Sequence, residues 1–199
     1  MGTLMLKLHA LGALLPLLQS ESPVRAPDTG PDAAYLDALR SGNPGAWRDL
    51  FENEVNALHR YAYGRLGRAE DAEEVVSLTF ETAWKNIRHF EDRGLPLRAW
   101  LFGIARNLAN RHGRRFMAKN AQISLDAFEV EVAGPDADPR LADLAFALAG
   151  MDQRQAEVIS LRFLHGLTIR ETASILEISE EAVKGRQKRA LEALRSRLE

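Results

Sequence analysis

The run TIRETASILEISEEAVKGRQKRALEALRSR, residues 168–197, spells two helices joined by a tight turn. Thr168 is a good N-cap, and Glu171 three residues later completes a capping box. Ala173 is small where a second helix would cross closely, and Ile175, Leu176 and Ile178 surround the turn. Ser179 caps the second helix, whose apolar stripe is Val183, Ala190, Leu191, Leu194 and Leu198. Ala173 and Val183 carry the spacing of the two packed positions in helix-turn-helix units. Glu181, Lys184, Gly185, Lys188 and Arg189 face away from the stripe. A cationic outer face suits a DNA major groove and its phosphates. A helical hairpin with solvated charges fits the same stretch taken alone.

Upstream of this unit, Arg140–Gly150 and Asp152–His165 read as two more helices, with Asp152 as a cap and Gly166 as a stop. Phe116–Pro139 has weak periodicity, many acids, Gly134, Pro135 and Pro139, and reads as a linker. From Asp32 to Arg115 the pattern is helical nearly throughout. Ala34–Arg40 is short. Pro44 starts a stripe of Trp47, Leu50, Phe51, Val55 and Leu58 that runs on through Tyr61 to Leu66, where Gly67 breaks it. Ala69–Ile87 follows, with Ala72, Val75, Val76, Thr79, Phe80, Ala83 and Trp84 at three- and four-residue spacing and acids in its first turn. Arg88–Leu97, with Gly94 and Pro96, is a loop. Arg98–Arg115 returns to helix, with Trp100, Leu101, Ile104, Ala105 and Leu108 inward and its arginines and asparagines on the other faces.

No β-like alternation competes with these periods, so the fold class is all-α. Residues 32–115 form a larger helical domain, 116–138 an acidic linker and 139–199 a small helix-turn-helix domain. Residues 1–31 differ from the rest: Leu4–Leu18 is apolar, then Ser, Pro, Gly and Asp dominate. A secretory signal, an amphipathic docking helix and a disordered extension from an early start codon all compete here. The extension is favoured, because Ser20-Glu21-Ser22 is a poor cleavage site and the run is shorter than the ~20 residues that span a bilayer.

The whole chain has 199 residues, 46% of them hydrophobic and 27% charged, with a net charge of −2. Gripping naked DNA alone normally requires a basic excess. Here charge is segregated instead. Arg98–Lys119 holds six Lys/Arg and no acid, whereas Asp126–Asp143 holds six acids and one Arg. That pattern points to DNA contact helped by a larger partner. Cysteine is absent, which excludes disulfides and thiolate metal sites and fits a cytoplasmic setting. The five histidines show no metal-ligand spacing, so neither a metal nor a cofactor is expected.

Three segments in order carry a family resemblance. DAEEVVSLTFETAWKNI (71–87), LRAWLFGIARNLANRHGRR (97–115) and MDQRQAEVISLRFLHGLTIRETASILEISEEAVKGRQKRALEALR (151–195) resemble regions 2 and 4 of a bacterial sigma-70 family sigma factor of the small extracytoplasmic-function (ECF) type. The likeness covers roughly residues 32–195. It implies a region 2 helical bundle and a region 4 helix-turn-helix on a flexible linker. It implies a promoter-specificity subunit that binds core RNA polymerase at the beta-prime clamp and the beta flap. Such a subunit binds promoter DNA, is often held by an anti-sigma factor, and has no small-molecule substrate and no catalysis of its own. Region 4 would read the −35 element through Arg170, Glu181, Lys184, Gly185, Lys188 and Arg189, with Arg162 clamping backbone beside Arg170. Region 2 would engage the −10 element through Arg98, Arg106, Asn107, Asn110, Arg111, Arg114 and Arg115. The loop Arg88–Leu97 matches the place where the family holds a flipped base, whose extraction costs a few kcal/mol. Glu73, Glu74, Thr79 and Glu81 would face the polymerase. Ser77-Leu78, Glu177 and Gly185 depart from the family's usual residues, which puts the clamp contact and the turn geometry in question. A stand-alone helix-turn-helix regulator is the alternative. It would normally need a dimer to gain affinity, and it does not need the acid-free 98–119 segment.

Overall fold

A computed structural model describes residues 33–91, 95–117 and 151–196, with backbone alone at 113–117 and 195–196. The extension 1–31, the linker 116–138 beyond residue 117 and the expected helix over 140–150 therefore lie outside the described residues. So do Leu198 and three residues of the 88–97 loop. Seven α-helices make up the described chain, and no strand occurs among the described residues.

The first helix, α1 (Ala33–Arg40), ends at Gly42, whose φ of 77° a β-carbon would resist. Asn43 then caps α2 (Pro44–Leu66): its side-chain oxygen accepts from the Gly45 and Ala46 amides at 2.9 and 3.2 Å. Pro44 fits the first turn because its missing N–H has no partner there in any helix. Gly67 closes α2 in the left-handed conformation. In α3 (Ala69–Asn86), Glu70 and Asp71 stand where the helix dipole favours negative charge. A single 3₁₀ turn, Ile87–His89, buries Ile87 and leads to buried Phe90, which packs on Trp100 at 5.0 Å. The fourth helix, α4 (Leu97–Met117), completes a three-helix bundle with α2 and α3. Ala62, Ala72, Ala83 and Ala105 are fully buried, and their small side chains let the backbones approach around Leu58, Val75 and Leu101.

The C-terminal half comprises α5 (Gln153–Ile159), α6 (Ile169–Leu176) and α7 (Glu180–Ser196). Asp152 caps α5 as the sequence predicts, but the α-helix is shorter than Asp152–His165. Ser160–Leu164 forms a π turn, in which the His165 amide donates to the Ser160 carbonyl at 3.1 Å. Part of this half packs internally through Ala156, Ile159, Ala190 and Leu194. The rest does not: Leu161, Leu167, Ala173, Ile175 and Val183 belong to one continuous core with the N-terminal bundle. Helix α6 lies against α4. The two halves are thus docked on each other.

Candidate nucleic-acid interface

The turn between α6 and α7 is built as its residues predict. The Thr168 hydroxyl accepts from the Glu171 amide at 3.2 Å, and the Glu171 carboxylate accepts from the Thr168 amide at 2.6 Å. Glu177 adopts φ 56°, ψ 43°, so a side chain stands in the left-handed conformation where glycine is the easier fit. The Ser179 hydroxyl accepts from the Ala182 amide at 3.1 Å. On α7, Val183 and Ala190 are wholly buried while Glu181, Lys184, Lys188 and Arg189 are exposed and Gly185 is half-buried. Lys184 reaches Glu181 at 3.2 Å, and Lys188 is 3.9 Å from Glu192. Exposed pairs of this kind are worth at most ~1 kcal/mol and release their cations readily. A β-carbon on Gly185 would meet only the Arg189 guanidinium, at 3.7 Å, so nothing in the fold itself demands glycine there. Arg170 is exposed at the start of α6. Arg162 is not a backbone clamp: it is 1% exposed, donates to the Leu167 carbonyl at 2.6 Å and to Gln187 Oε1 at 3.2 Å, and braces the π turn from inside.

Helix α4 carries the other candidates, and the structure divides them. Asn107 and Arg111 are exposed. Arg114 and Arg115 lie in the last turns, where only the backbone is described. Arg98, Arg106 and Asn110 are engaged within the chain, contrary to their reading as an open DNA face. Arg98 donates to Glu54 Oε2 at 2.7 Å and to the His165 carbonyl at 3.1 Å, and its guanidinium lies 5.2 Å over the Phe102 ring. Arg106 Nε donates to Glu157 Oε1 at 3.1 Å. Arg65, on α2, donates to that same oxygen at 2.6 Å and to Asn110 Oδ1 at 2.6 Å. The Tyr61 hydroxyl is a third donor to Glu157 Oε1, at 3.2 Å. Burial pushes the Tyr61 phenol far above its ordinary pKa, which keeps it a donor. Burial alone would lower the Arg65 pKa, but the neighbouring Tyr61 and Glu157 oxygens more than offset it, and the net shift is upward. The physical cause of the division is that α4 is covered twice, by α2 and α3 on one side and by the C-terminal half on the other.

On α3, Glu73, Glu74 and Glu81 are exposed, Glu81 pairing with Lys85. Thr79 is not a surface contact. It is fully buried, and its hydroxyl donates to the Val75 carbonyl at 2.7 Å. What the sequence reading missed is an aromatic surface. Trp84 is 52% and Phe51 45% exposed, and each stacks on a half-buried ring: Trp47 and Trp84 centroids are 4.9 Å apart, as are Phe51 and Phe80. The i, i+4 spacing of Trp47 with Phe51 on α2 and of Phe80 with Trp84 on α3 was the available signal, but it is also the spacing of a core stripe. Asp71, Glu74 and His112 bring ligand atoms within 4.8 Å of one another; the 3.1 Å Glu74–His112 hydrogen bond and Arg68 at 3.9 Å from Asp71 give these groups partners within the chain.

These features define an all-α chain with a helix-turn-helix unit and an arginine-bearing helical bundle, a two-module binder of nucleic acid. Residues 50–116 match the family description "Sigma-70 region 2", and residues 147–196 match "Sigma-70, region 4". The chain is 34% identical over 180 residues to the ECF RNA polymerase sigma factor BldN of Streptomyces coelicolor, an alignment covering 85% of this chain and 68% of the relative. It is 33% identical over 170 residues to the ECF RNA polymerase sigma factor SigL of Mycobacterium tuberculosis, covering 83% of this chain and 96% of SigL. Among solved structures it resembles CnrH in complex with the cytosolic domain of CnrY, with a TM-score of 0.60 and 28% identity over 83% of this chain and 95% of that one. It also resembles the sigma factor RpoE in complex with the anti-sigma factor NepR from Bartonella quintana, with a TM-score of 0.58 and 26% identity over 75% of this chain and 94% of that one. The chain belongs to the sigma-70 family, as an ECF sigma factor. It acts in promoter recognition and transcription initiation by RNA polymerase. No helix among the described residues is long and apolar enough to cross a membrane.

Proposed function

We propose that residues 32–115 act as the −10 module and residues 139–199 as the −35 module, joined by the 116–138 linker. The observation that carries the −35 assignment is α7: a wholly buried Val183–Ala190 stripe holds the helix down while Glu181, Lys184, Lys188 and Arg189 stay in water. Side chains so placed reach base edges and phosphates of a major groove. Gly185 keeps the middle of that face low, and Arg170 flanks it. Region 2 uses Asn107 and Arg111 as α4 stands, with Arg114 and Arg115 further along; Arg106 is freed from Glu157 only if the C-terminal half moves away, while Arg98 and Asn110 keep Glu54 and Arg65 as partners on α2.

The polymerase clamp would dock on α3 through Glu73, Glu74 and Glu81, with the Phe51–Phe80 and Trp47–Trp84 pairs beside them. Exposed aromatic pairs rimmed by charge are what a protein partner covers. Region 4 would meet the beta flap. An anti-sigma factor is a fitting regulator, since the related CnrH and RpoE structures each contain a bound partner. The reading makes the chain a cytoplasmic specificity subunit that acts by binding rather than by catalysis. Run-off transcription with core polymerase tests it: a promoter-dependent transcript is expected, and its absence overturns the reading. A stand-alone regulator would instead retain specific promoter binding without polymerase.

A further inference from the structure

Glu157 sits on the helix-turn-helix half, yet its carboxylate is turned into the other half and is only 9% exposed. One oxygen, Oε1, accepts from three groups there: the Tyr61 hydroxyl, an Arg65 guanidinium nitrogen and Arg106 Nε, at 3.2, 2.6 and 3.1 Å. The second Arg65 nitrogen is fixed on Asn110 at 2.6 Å, so the fork is held ready rather than drawn up by Glu157 alone. Donors from α2 and α4 that converge on a single oxygen form an anion cradle. One carboxylate against two guanidiniums leaves a surplus of one positive charge. Phosphate, with more oxygens and a charge spread over them, matches that cradle at least as well as a carboxylate does.

We infer that Tyr61, Arg65 and Arg106 form a binding site for a backbone phosphate of nucleic acid, and that Glu157 of the same chain occupies it while the two halves are docked. The inference rests on the reading of α4 as a promoter-contacting helix. It adds Arg65 and Tyr61, which lie on a different helix from every other region 2 candidate. The cis-occupant also makes DNA and domain closure compete for the same cations. A free chain would keep its phosphate site filled, and parting of the halves would expose it.

The test uses the full chain in two settings. Without polymerase, fluorescence anisotropy with a labelled DNA oligomer should show Glu157→Ala binding about tenfold more tightly than the unaltered chain, the scale of a charged hydrogen bond gained. Adding Arg65→Gln to that variant should abolish the gain. In holoenzyme on a promoter fragment, Arg65→Gln should lower the slope of log affinity against log salt by about 1, as loss of one phosphate contact requires. Arg65→Lys, which keeps the charge, should retain most of that slope. A folded Glu157→Ala that binds DNA no more tightly, or an Arg65→Gln holoenzyme with an unchanged slope, overturns the inference. Failure of the sigma-factor reading shows elsewhere, as an unaltered chain that yields no run-off product.

Discussion

Arg98→Ala separates two roles for one residue. The sequence places Arg98 at the start of a DNA-contacting segment, whereas the structure makes it a crosspiece between the halves. Its guanidinium bonds Glu54 at 2.7 Å and the His165 carbonyl at 3.1 Å, with side-chain exposures of 14% for Arg98 and 8% for Glu54. Removing one partner of a buried ion pair costs about 3–5 kcal/mol, because the other charge stays desolvated. The residual exposure of both groups puts the expected loss near the lower end, about 3 kcal/mol. At about 2–4 °C per kcal/mol for a chain of this size, the thermal midpoint should fall by about 6–12 °C, followed by circular dichroism. Arg98→Ala/Glu54→Gln should recover part of the loss, since the stranded charge is then gone, and the cycle should give a coupling of roughly 1–3 kcal/mol. A midpoint within 2 °C of the unaltered chain, according to the same scaling of about 2–4 °C per kcal/mol, would refute the buried Arg98–Glu54 pair. If that silent midpoint came with a salt slope of promoter binding lowered by about 1, the DNA role would stand in its place.

Trp84→Ala should weaken capture of core polymerase by about 2 kcal/mol or more, roughly 30-fold, while costing the isolated fold ~1 kcal/mol, because half of the ring already lies in water; surface plasmon resonance with unchanged affinity would remove the aromatic face from the interface. Lys184→Ala with Lys188→Ala should lower the salt slope of −35 duplex binding by about 2, and an unaltered slope would show that neither lysine meets phosphate. Glu177→Gly should stabilise the chain by up to ~1 kcal/mol by relieving the φ of 56°, less the backbone entropy that glycine adds to the unfolded state. A lowered denaturation midpoint would mean that the Glu177 side chain does something the turn geometry does not account for.

Local chemistry was legible. The Thr168–Glu171 capping box, the Pro44 start, the stop at Gly67 and the Val183–Leu194 stripe follow from short-range rules, and each stands in the structure where the residues place it. The family resemblance was legible for the same reason, since several ordered motifs agree. What could not be read was long-range burial by polar side chains. Arg98 and Arg106 look like a solvated face because arginine usually is one, and their acceptors, Glu54 and Glu157, lie 44 and 51 residues away. Arg162 misled in the same way from within the π turn. Phe102, fully buried against Tyr61 and His165, belongs to the second covered side of α4, and a single amphipathic stripe allows for only one. On α3 the error ran the other way. Trp84 fitted the core stripe by spacing, but among the described residues it is half exposed, with only one side packed on Trp47.

The near-neutral total of −2 takes on a different meaning once the halves are seen docked. In that arrangement Arg65, Arg98 and Arg106 each face a carboxylate of the chain, so the basic character of region 2 is internally balanced and the outward field is weak. Separating the halves takes Glu157 away from Arg65 and Arg106, leaves Arg98 on Glu54, and uncovers apolar surface around Phe102, Leu161 and Ile175, for which water alone gives little in return. On the proposed reading, a polymerase that held the two modules apart would supply the missing contacts. The population rule then sets the scale: a binding-competent form present one time in a hundred lowers apparent affinity about a hundredfold. Selectivity for polymerase-bound over free chain would thus come from the same ion pairs that the promoter needs, without any excess of positive charge in the sequence.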